Sequence, residues 1–247
     1  MASTVFIAGA TGAIGARLTP LLVSRGYRVF GLTRSAEKAP ALLAQGAVPM
    51  VGNVYDTPAL TQMMRAARPD AVIHMLTDLP PGLDPSKMAE AVHRNARVRA
   101  EGTASLLNAA REAGVGVMVA ESIAWVYRKS DRLPYTEESA LDTAATGSRG
   151  VTMAGVIALE QAVMNTPGLR GVVLRFGQLF GPGTGAPDAT GKTLPLHVDA
   201  AAWATVLALE AQRPGIYNIV GPNAEVSAEK ARRELQWTAD SGPPRRA

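Results

Sequence analysis

Gly9, Gly12 and Gly15 recur at every third position in Gly9-Ala10-Thr11-Gly12-Ala13-Ile14-Gly15, directly after the apolar run Thr4–Ala8. A strand that bends sharply into a helix needs residues without Cβ, which admit positive φ and let a ligand approach the backbone. Free N–H groups at the start of that helix carry partial positive charge, so the bend is suited to the two phosphates of a dinucleotide. Val5-Phe6-Ile7 before it is β-prone, and Ile14, Leu18, Leu21 and Leu22 after it recur at helical spacing. Taken alone, the glycine spacing also describes a flexible turn; the flanking strand and helix patterns favour the phosphate cradle. Pro20 lies inside the helix and is expected to kink or shorten it, because it brings no backbone donor.

The end of the second strand decides which dinucleotide. A carboxylate there would hold a ribose 2′-hydroxyl and repel a 2′-phosphate. This chain has Thr33 with Arg34 beside it, Ser35 as a hydrogen-bond donor and Lys38 one helical turn on. A guanidinium favours the phosphate, so the expected cofactor is NADP, with NAD as the alternative.

Groups so arranged need an alternating fold to position them. Besides Arg28–Thr33, the runs 47–51, 71–76, 115–120 and 172–174 read as buried strands separated by helical patterns. Asp56 with Pro58 reads as a cap and first turn, and 88–113 as one long helix closed by Gly114. The expected fold class is α/β, a Rossmann-type doubly wound parallel sheet with a small C-terminal substrate-side portion in about 176–247, within one domain over 1–247. Ligands bind such sheets beyond the carboxyl ends of the strands, where strand order reverses. That rule groups the glycine bend with Thr33, Arg34, Asn53, Leu76, Thr77, Glu121 and Ser122.

Composition narrows the function classes. With 247 residues and 47% hydrophobic content the chain can bury one sizeable core. It has no cysteine, which removes disulfides, thiolate metal sites and a Cys nucleophile, and its three histidines lack ligand spacing, so no metal is expected. The net charge of +4 is spread among helices and suits an anionic small molecule better than nucleic acid. No apolar stretch approaches the ~20 residues that span a bilayer, and the N-terminus has no secretory pattern. A cytoplasmic protein acting on a small-molecule substrate is expected.

Further motifs stand in a telling order: Val51-Gly52-Asn53-Val54-Tyr55-Asp56, Ala71-Val72-Ile73-His74, Gly102-Thr103, Ser122-Ile123-Ala124, Leu174-Arg175, Phe180-Gly181-Pro182-Gly183, His197-Val198-Asp199, Tyr217-Asn218 and Ala231-Arg232-Arg233-Glu234-Leu235-Gln236-Trp237. With them the chain resembles the extended or atypical short-chain dehydrogenase/reductases, and more narrowly the NAD(P)-dependent epimerase/dehydratase group. The resemblance implies that Gly9, Thr11, Gly12, Ile14 and Gly15, with Ala13 between them, hold the pyrophosphate. It further implies that Asn53 and Val54 lie by the adenine and that Leu76 and Thr77 line the route to the nicotinamide.

The same resemblance implies a serine or threonine after the fifth strand working with a Tyr-x-x-x-Lys pair, the lysine lowering the tyrosine pKa for proton transfer. Ser122 fits the first role. Aligned on Glu160, however, the tyrosine position holds Thr152 and the lysine position Val156, and Arg99 stands near the place of a family asparagine. Tyr127 is the substitute proton donor this reading selects, with Tyr135 as a second; each also reads as a half-buried aromatic with a satisfied hydroxyl. Aligning Tyr127 with the family's Val-Tyr pair would instead put Ile123 in the serine's place.

Glu121 and Ser122 would face opposite sides of a continuing strand, and a salt bridge is expected for Glu121. His74 reads as a core histidine bonded to backbone, Asp199 as the cap of a helix over 200–211, and Arg175 as either an anion contact or half of an internal ion pair. The turn-rich stretch between Phe180 and His197 is short for a nucleotide-sugar site and favours a small carbonyl or hydroxyl compound, or a partner protein. The expected function is an NADP(H)-binding oxidoreductase or epimerase/dehydratase-like protein, the alternative a non-catalytic dinucleotide sensor or scaffold. A homodimer packed through the helices 88–113 and 151–164 is compatible with either.

Overall fold

Both faces of the central strands are covered, which is why they read as nearly unbroken apolar runs rather than as alternating ones. The computed structural model describes residues 3–130, 132–240 and 242. In chain order the elements are β1 (Thr4–Ala8), α1 (Ala13–Ser24), β2 (Arg28–Thr33), α2 (Ala39–Ala44), β3 (Val48–Val51), α3 (Thr57–Ala67), β4 (Ala71–His74), α4 (Met88–Arg97), a π-helical segment (Val98–Gly102), α5 (Thr103–Glu112), β5 (Val117–Ile123), α6 (Gly147–Asn165), β6 (Arg170–Phe176), β7 (Gln178–Phe180), β8 (Pro195–His197), α7 (Val198–Ala211), β9 (Gly215–Ile219) and α8 (Glu229–Leu235). Seven strands form one parallel sheet in the order β3-β2-β1-β4-β5-β6-β9, and β7 pairs with β8. This is the expected doubly wound architecture, with strand order reversing between β1 and β4.

Period-two alternation divides the core. Val5, Ile7, Val119 and Leu174 pack with Leu18 and Leu22 of α1 and Trp203 and Leu209 of α7. Phe6, Val72, Met118 and Val173 face the other way, onto Leu60 and Met64 of α3, Leu106 of α5 and Leu159 of α6. Each fully buried leucine contributes about 1.5–3 kcal/mol.

Several local expectations are corrected by packing. Pro20 does not end α1, which runs through it to Ser24. The Ala16 carbonyl, whose helical donor Pro20 lacks, accepts from the Gln45 side-chain amide at 3.3 Å. The long helix over 88–113 is continuous but widens in its middle into the π-helical segment, and Gly114 closes it at φ +72°. Asp56 caps α3, accepting from the Ala59 N–H at 3.1 Å. For α7 the cap is His197 rather than Asp199: His197 Nδ1 accepts from the Asp199 N–H, and the Asp199 carboxylate reaches Arg17 of α1. β5 extends to Ile123, so Glu121 and Ser122 lie inside it, opposite Leu174 and Arg175 of β6, instead of after its end. Among the described residues no helix is long and apolar enough to cross a membrane.

Candidate functional site

The glycine bend sits at the carboxyl end of β1, beside the reversal of strand order. Gly9 has φ +91°, and a Cβ there would lie 2.4 Å from the Met75 carbonyl oxygen. A Cβ on Gly15 would lie 2.2 Å from the Gly9 oxygen, so α1 starts hard against the turn. Gly12 is the N-cap residue of α1 and brings no side-chain oxygen; its own N–H donates to Gly9 O at 3.0 Å. The first-turn N–H groups of Ala13, Ile14 and Gly15 have no helical acceptor, and the glycines let the turn, the start of α1 and the chain after β4 pack closely enough to present them together, which fits a pyrophosphate. Thr11 lies between the glycines of this turn, and Gly183 of the loop between β7 and β8 comes close to Ala13.

At the end of β2, Thr33 Oγ1 accepts from the Ser35 N–H at 3.3 Å, and the Arg34 guanidinium, 71% exposed, reaches Asp78 Oδ1 at 3.1 Å. Asp78 belongs to the loop that begins with Leu76 and Thr77 after β4, and its backbone N–H donates to Asn95 Oδ1. Arg94 approaches the other Asp78 oxygen at 3.7 Å. Sequence reasoning had not singled out Asp78 or Arg94; only the docking of α4 over this loop brings them to Arg34. Arg94 also pairs with Glu90 Oε2 at 3.4 Å, so the four charges balance, and exposed pairs of this kind are weak enough to yield to a phosphate. Asn53 Oδ1 closes a turn by accepting from the Tyr55 N–H at 3.1 Å. Val54 is buried, facing Gly102 of the π-helical segment, and Lys38 lies exposed on the turn Ala36–Lys38.

Ser122 and Tyr127 are committed to a buried polar network. Ser122 Oγ donates to Glu160 Oε1 at 2.6 Å, and Arg175 grips the same carboxylate with Nε at 2.9 Å and Nη2 at 2.7 Å. Arg175 Nη1 also donates to the Tyr127 hydroxyl, which donates to Asn218 Oδ1, while the Asn218 N–H donates to Glu137. Burial pushes the Tyr127 phenol above its ordinary pKa, and the Arg175 guanidinium only partly opposes this. Its ring stacks on Tyr135 at 5.2 Å. Arg175 thus forms the internal ion pair. Thr152 Oγ1 donates back to the Ser148 carbonyl, and Val156 is fully buried in an apolar cluster with Ile123 and Met153.

His74 Nδ1 accepts from the Leu76 N–H at 3.2 Å, so Nε2 carries the proton donated to Thr103 Oγ1 at 2.9 Å. Burial lowers its pKa to about 4, whereas burial raises Glu121 to about 7 against the pull of Arg99. The two act on stability with opposite signs. The depressed His74 withdraws stability as pH falls from its unfolded value towards 4; the raised Glu121 withdraws it as pH rises from the ordinary carboxylate range to 7. Between about pH 7 and pH 5 each is worth about 2 kcal/mol, so they nearly cancel. In urea titrations relative to wild type, His74→Gln should gain stability on acidification over this window and Glu121→Gln should lose it. Parallel profiles for all three proteins would refute the assignment. The expected salt bridge of Glu121 is not formed: among the described residues no cation lies within 4.0 Å of it, and Arg99 acts on it only at longer range.

A glycine cradle at the switch point of a doubly wound parallel sheet defines a dinucleotide-binding protein. The chain belongs to the NAD dependent epimerase/dehydratase family, whose model matches residues 5–217. It is 35% identical over 244 residues to a Streptomyces protein described as 3-diazoavenalumate denitrifying reductase, covering 91% of this chain and 78% of that one. Its fold is similar to UDP-glucose-4-epimerase of Stenotrophomonas maltophila, solved with bound NAD, at TM-score 0.78 and 20% identity over 97% of this chain and 94% of that one. A dTDP-glucose 4,6-dehydratase of Streptomyces venezuelae, also with NAD, matches at TM-score 0.78 and 20% identity, over 97% and 92% of the two chains.

Proposed function

We propose that this protein is an NADP(H)-dependent reductase that delivers hydride to a small electrophilic acceptor without a proton-transferring side chain at the family's tyrosine and lysine positions. One observation carries the reading: the chain keeps the glycine cradle yet has a Thr152 hydroxyl turned back on its own helix and a Val156 sealed in an apolar cluster. When bound, the reduced cofactor supplies a hydride; the chain supplies binding, orientation and a dry wall. Gly9, Gly12 and Gly15 accommodate the pyrophosphate, and Arg34, with Arg94 sharing Asp78, favours the 2′-phosphate. In this reading Ser122 and Tyr127 hold the Glu160–Arg175 pair in place and transfer no proton.

A carbonyl acceptor reduced by hydride becomes an alkoxide that must be protonated. An acceptor that expels a neutral group has no such need. The name of the Streptomyces relative describes reductive removal of nitrogen from a diazo compound. In that class of reaction hydride brings two electrons to carbon, a C–H bond forms, and the C–N pair departs with N2, so no acid is required. The lack of a proton-transferring pair is therefore compatible with turnover.

Mixing the protein with NADPH or NADH and panels of diazophenols and carbonyl compounds tests the proposal. NADPH should be consumed with release of one N2 per turnover from a diazophenol. Thr152→Ala should lose less than ~10-fold in rate, against the ~10²–10⁴ that a proton-transferring residue supplies. Arg34→Glu should weaken NADPH binding by about 10–100-fold while sparing NADH. Tight NADPH binding with no acceptor consumed would overturn the reductase reading in favour of a dinucleotide sensor.

A further inference from the structure

Arg99 is a buried charge to which the reductase reading gives no task. It is 5% exposed, and among the described residues its guanidinium makes neither a hydrogen bond nor an ion pair within 4.0 Å. An arginine cannot escape burial by losing its proton, and the Arg99 nitrogens are not among the wholly sealed polar atoms of the described residues, so this enclosed cation is open to an incoming acceptor. Burial lowers its pKa against the longer-range pull of Glu121 and Glu160.

Its place in the fold points to the substrate side of the site. Thr103 touches the ring of His74, the last residue of β4, and Arg99 lies one turn earlier on the same helical run. It therefore stands past the carboxyl edge of the sheet, in the layer where ligands of this architecture bind. The helix widens to π geometry over Val98–Gly102, and such widenings re-aim side chains and mark functional positions.

Nearby carboxylates do not satisfy it. Glu160 already accepts from Ser122 and from both Nε and Nη2 of Arg175, so its charge is spent. The Glu121 side chain, partly open to solvent near the carboxyl end of β5, makes no hydrogen bond to a described residue. What remains is a cation with a free fork and a carboxyl group nearby.

We propose, building on the reductase reading, that Arg99 binds the carboxylate of an acidic acceptor and forms the anion end of the substrate site, with Glu121 opposing that binding when ionised. A planar fork meets a carboxylate with two parallel hydrogen bonds, which gives orientation as well as affinity. Glu121 titrates at about 7. The other groups around the pair keep their charge near neutrality: Arg175, raised by its bonds to Glu160, stays charged, and His74 and the Tyr127 phenol stay neutral. An acidic acceptor is thus held more tightly as pH falls through 7.

Calorimetric titration of the NADPH-loaded full chain with 4-hydroxycinnamate and with its methyl ester reads this without turnover. At about pH 6.5 wild type should prefer the acid by ~30-fold. Arg99→Gln should erase that preference with NADPH affinity unchanged, Arg99→Lys should keep part of it, and Glu121→Gln should abolish the weakening of acid binding between about pH 6 and pH 8.5. Equal binding of acid and ester by wild type, absence of acid binding, or a preference surviving Arg99→Gln would overturn the proposal. If Arg99→Gln fails to fold, the wild-type ratio and Arg99→Lys decide. Acid preference in this titration, together with no NADPH consumed on any of the diazo or carbonyl acceptors, would defeat the reductase reading and leave the anion site standing.

Discussion

A Gly15→Ala variant loses NADPH binding by at least ~100-fold and unfolds in less urea than wild type. Its Cβ would lie 2.2 Å from the Gly9 carbonyl oxygen and 2.7 Å from Ala10 Cα. Both atoms are backbone, so no rotamer change relieves the contact; α1 or the bend must move. The Gly9 oxygen also accepts the Gly12 N–H, and displacing it disturbs the geometry that presents the first-turn donors. Losing the aim of several hydrogen bonds to charged oxygens, each worth about 1.5–3 kcal/mol, accounts for the drop. Gly12→Ala is the internal control. A Cβ there meets the Gly9 oxygen at 3.3 Å and φ is −77°, which alanine accepts, so its effect should be several-fold smaller. Paired cofactor and urea titrations give the comparison. Gly15→Ala binding within ~10-fold of wild type would refute the close-approach argument.

Breaking the buried ion pair has the second large effect. Arg175→Met leaves Glu160 charged with only the Ser122 hydroxyl, at a position where the paired side chains are 2% and 5% exposed. Removing one partner of such a pair costs about 3–5 kcal/mol, because the remaining charge stays desolvated. The pair joins α6 to β5 and β6, and through Tyr127 and Asn218 reaches β9, so the loss should appear as one cooperative transition at lower denaturant. Replacing both partners with apolar residues, as in Arg175→Met with Glu160→Leu, should recover most of the stability. A single-variant loss below ~1 kcal/mol in urea unfolding would contradict this account.

The chemical consequence concerns Ser122. Its hydroxyl is spent on the ion pair at one end of the sheet, and the neighbouring strand position holds Glu121, which no cation neutralises at contact distance among the described residues. The charges without an ion pair within 4.0 Å here are Arg99 and Glu121, whereas Arg34 and Arg94 share Asp78 in exposed pairs.

Much of this was legible before any fold was known. The strand-turn-helix around Gly9, Gly12 and Gly15, the Thr33-Arg34 pair and the alternation of strands and helices depend on residues close in the chain, where glycine freedom and hydrophobic period act directly. They determined the parallel doubly wound class and the cradle. Strand ends escaped because pairing sets them: β5 continues through Glu121 and Ser122 only because β6 lies alongside in register. β9, Gly-Ile-Tyr-Asn-Ile, carries no period of its own and is a strand because β6 offers it an edge. Pro20 was misjudged because its remedy, Gln45, comes from a helix that returns from β2.

Side-chain partnership was decided wholly by tertiary structure. Whether Ser122, Tyr127 or Arg175 met a substrate or one another rested on Glu160 and Asn218, far along the chain. Arg99 became a charge awaiting an anion only when α5 packed on β4 and α6 covered β5. A linear chain specifies local conformation through sterics and period, but charge pairing and burial are properties of distances between remote segments, which exist only once the core has closed.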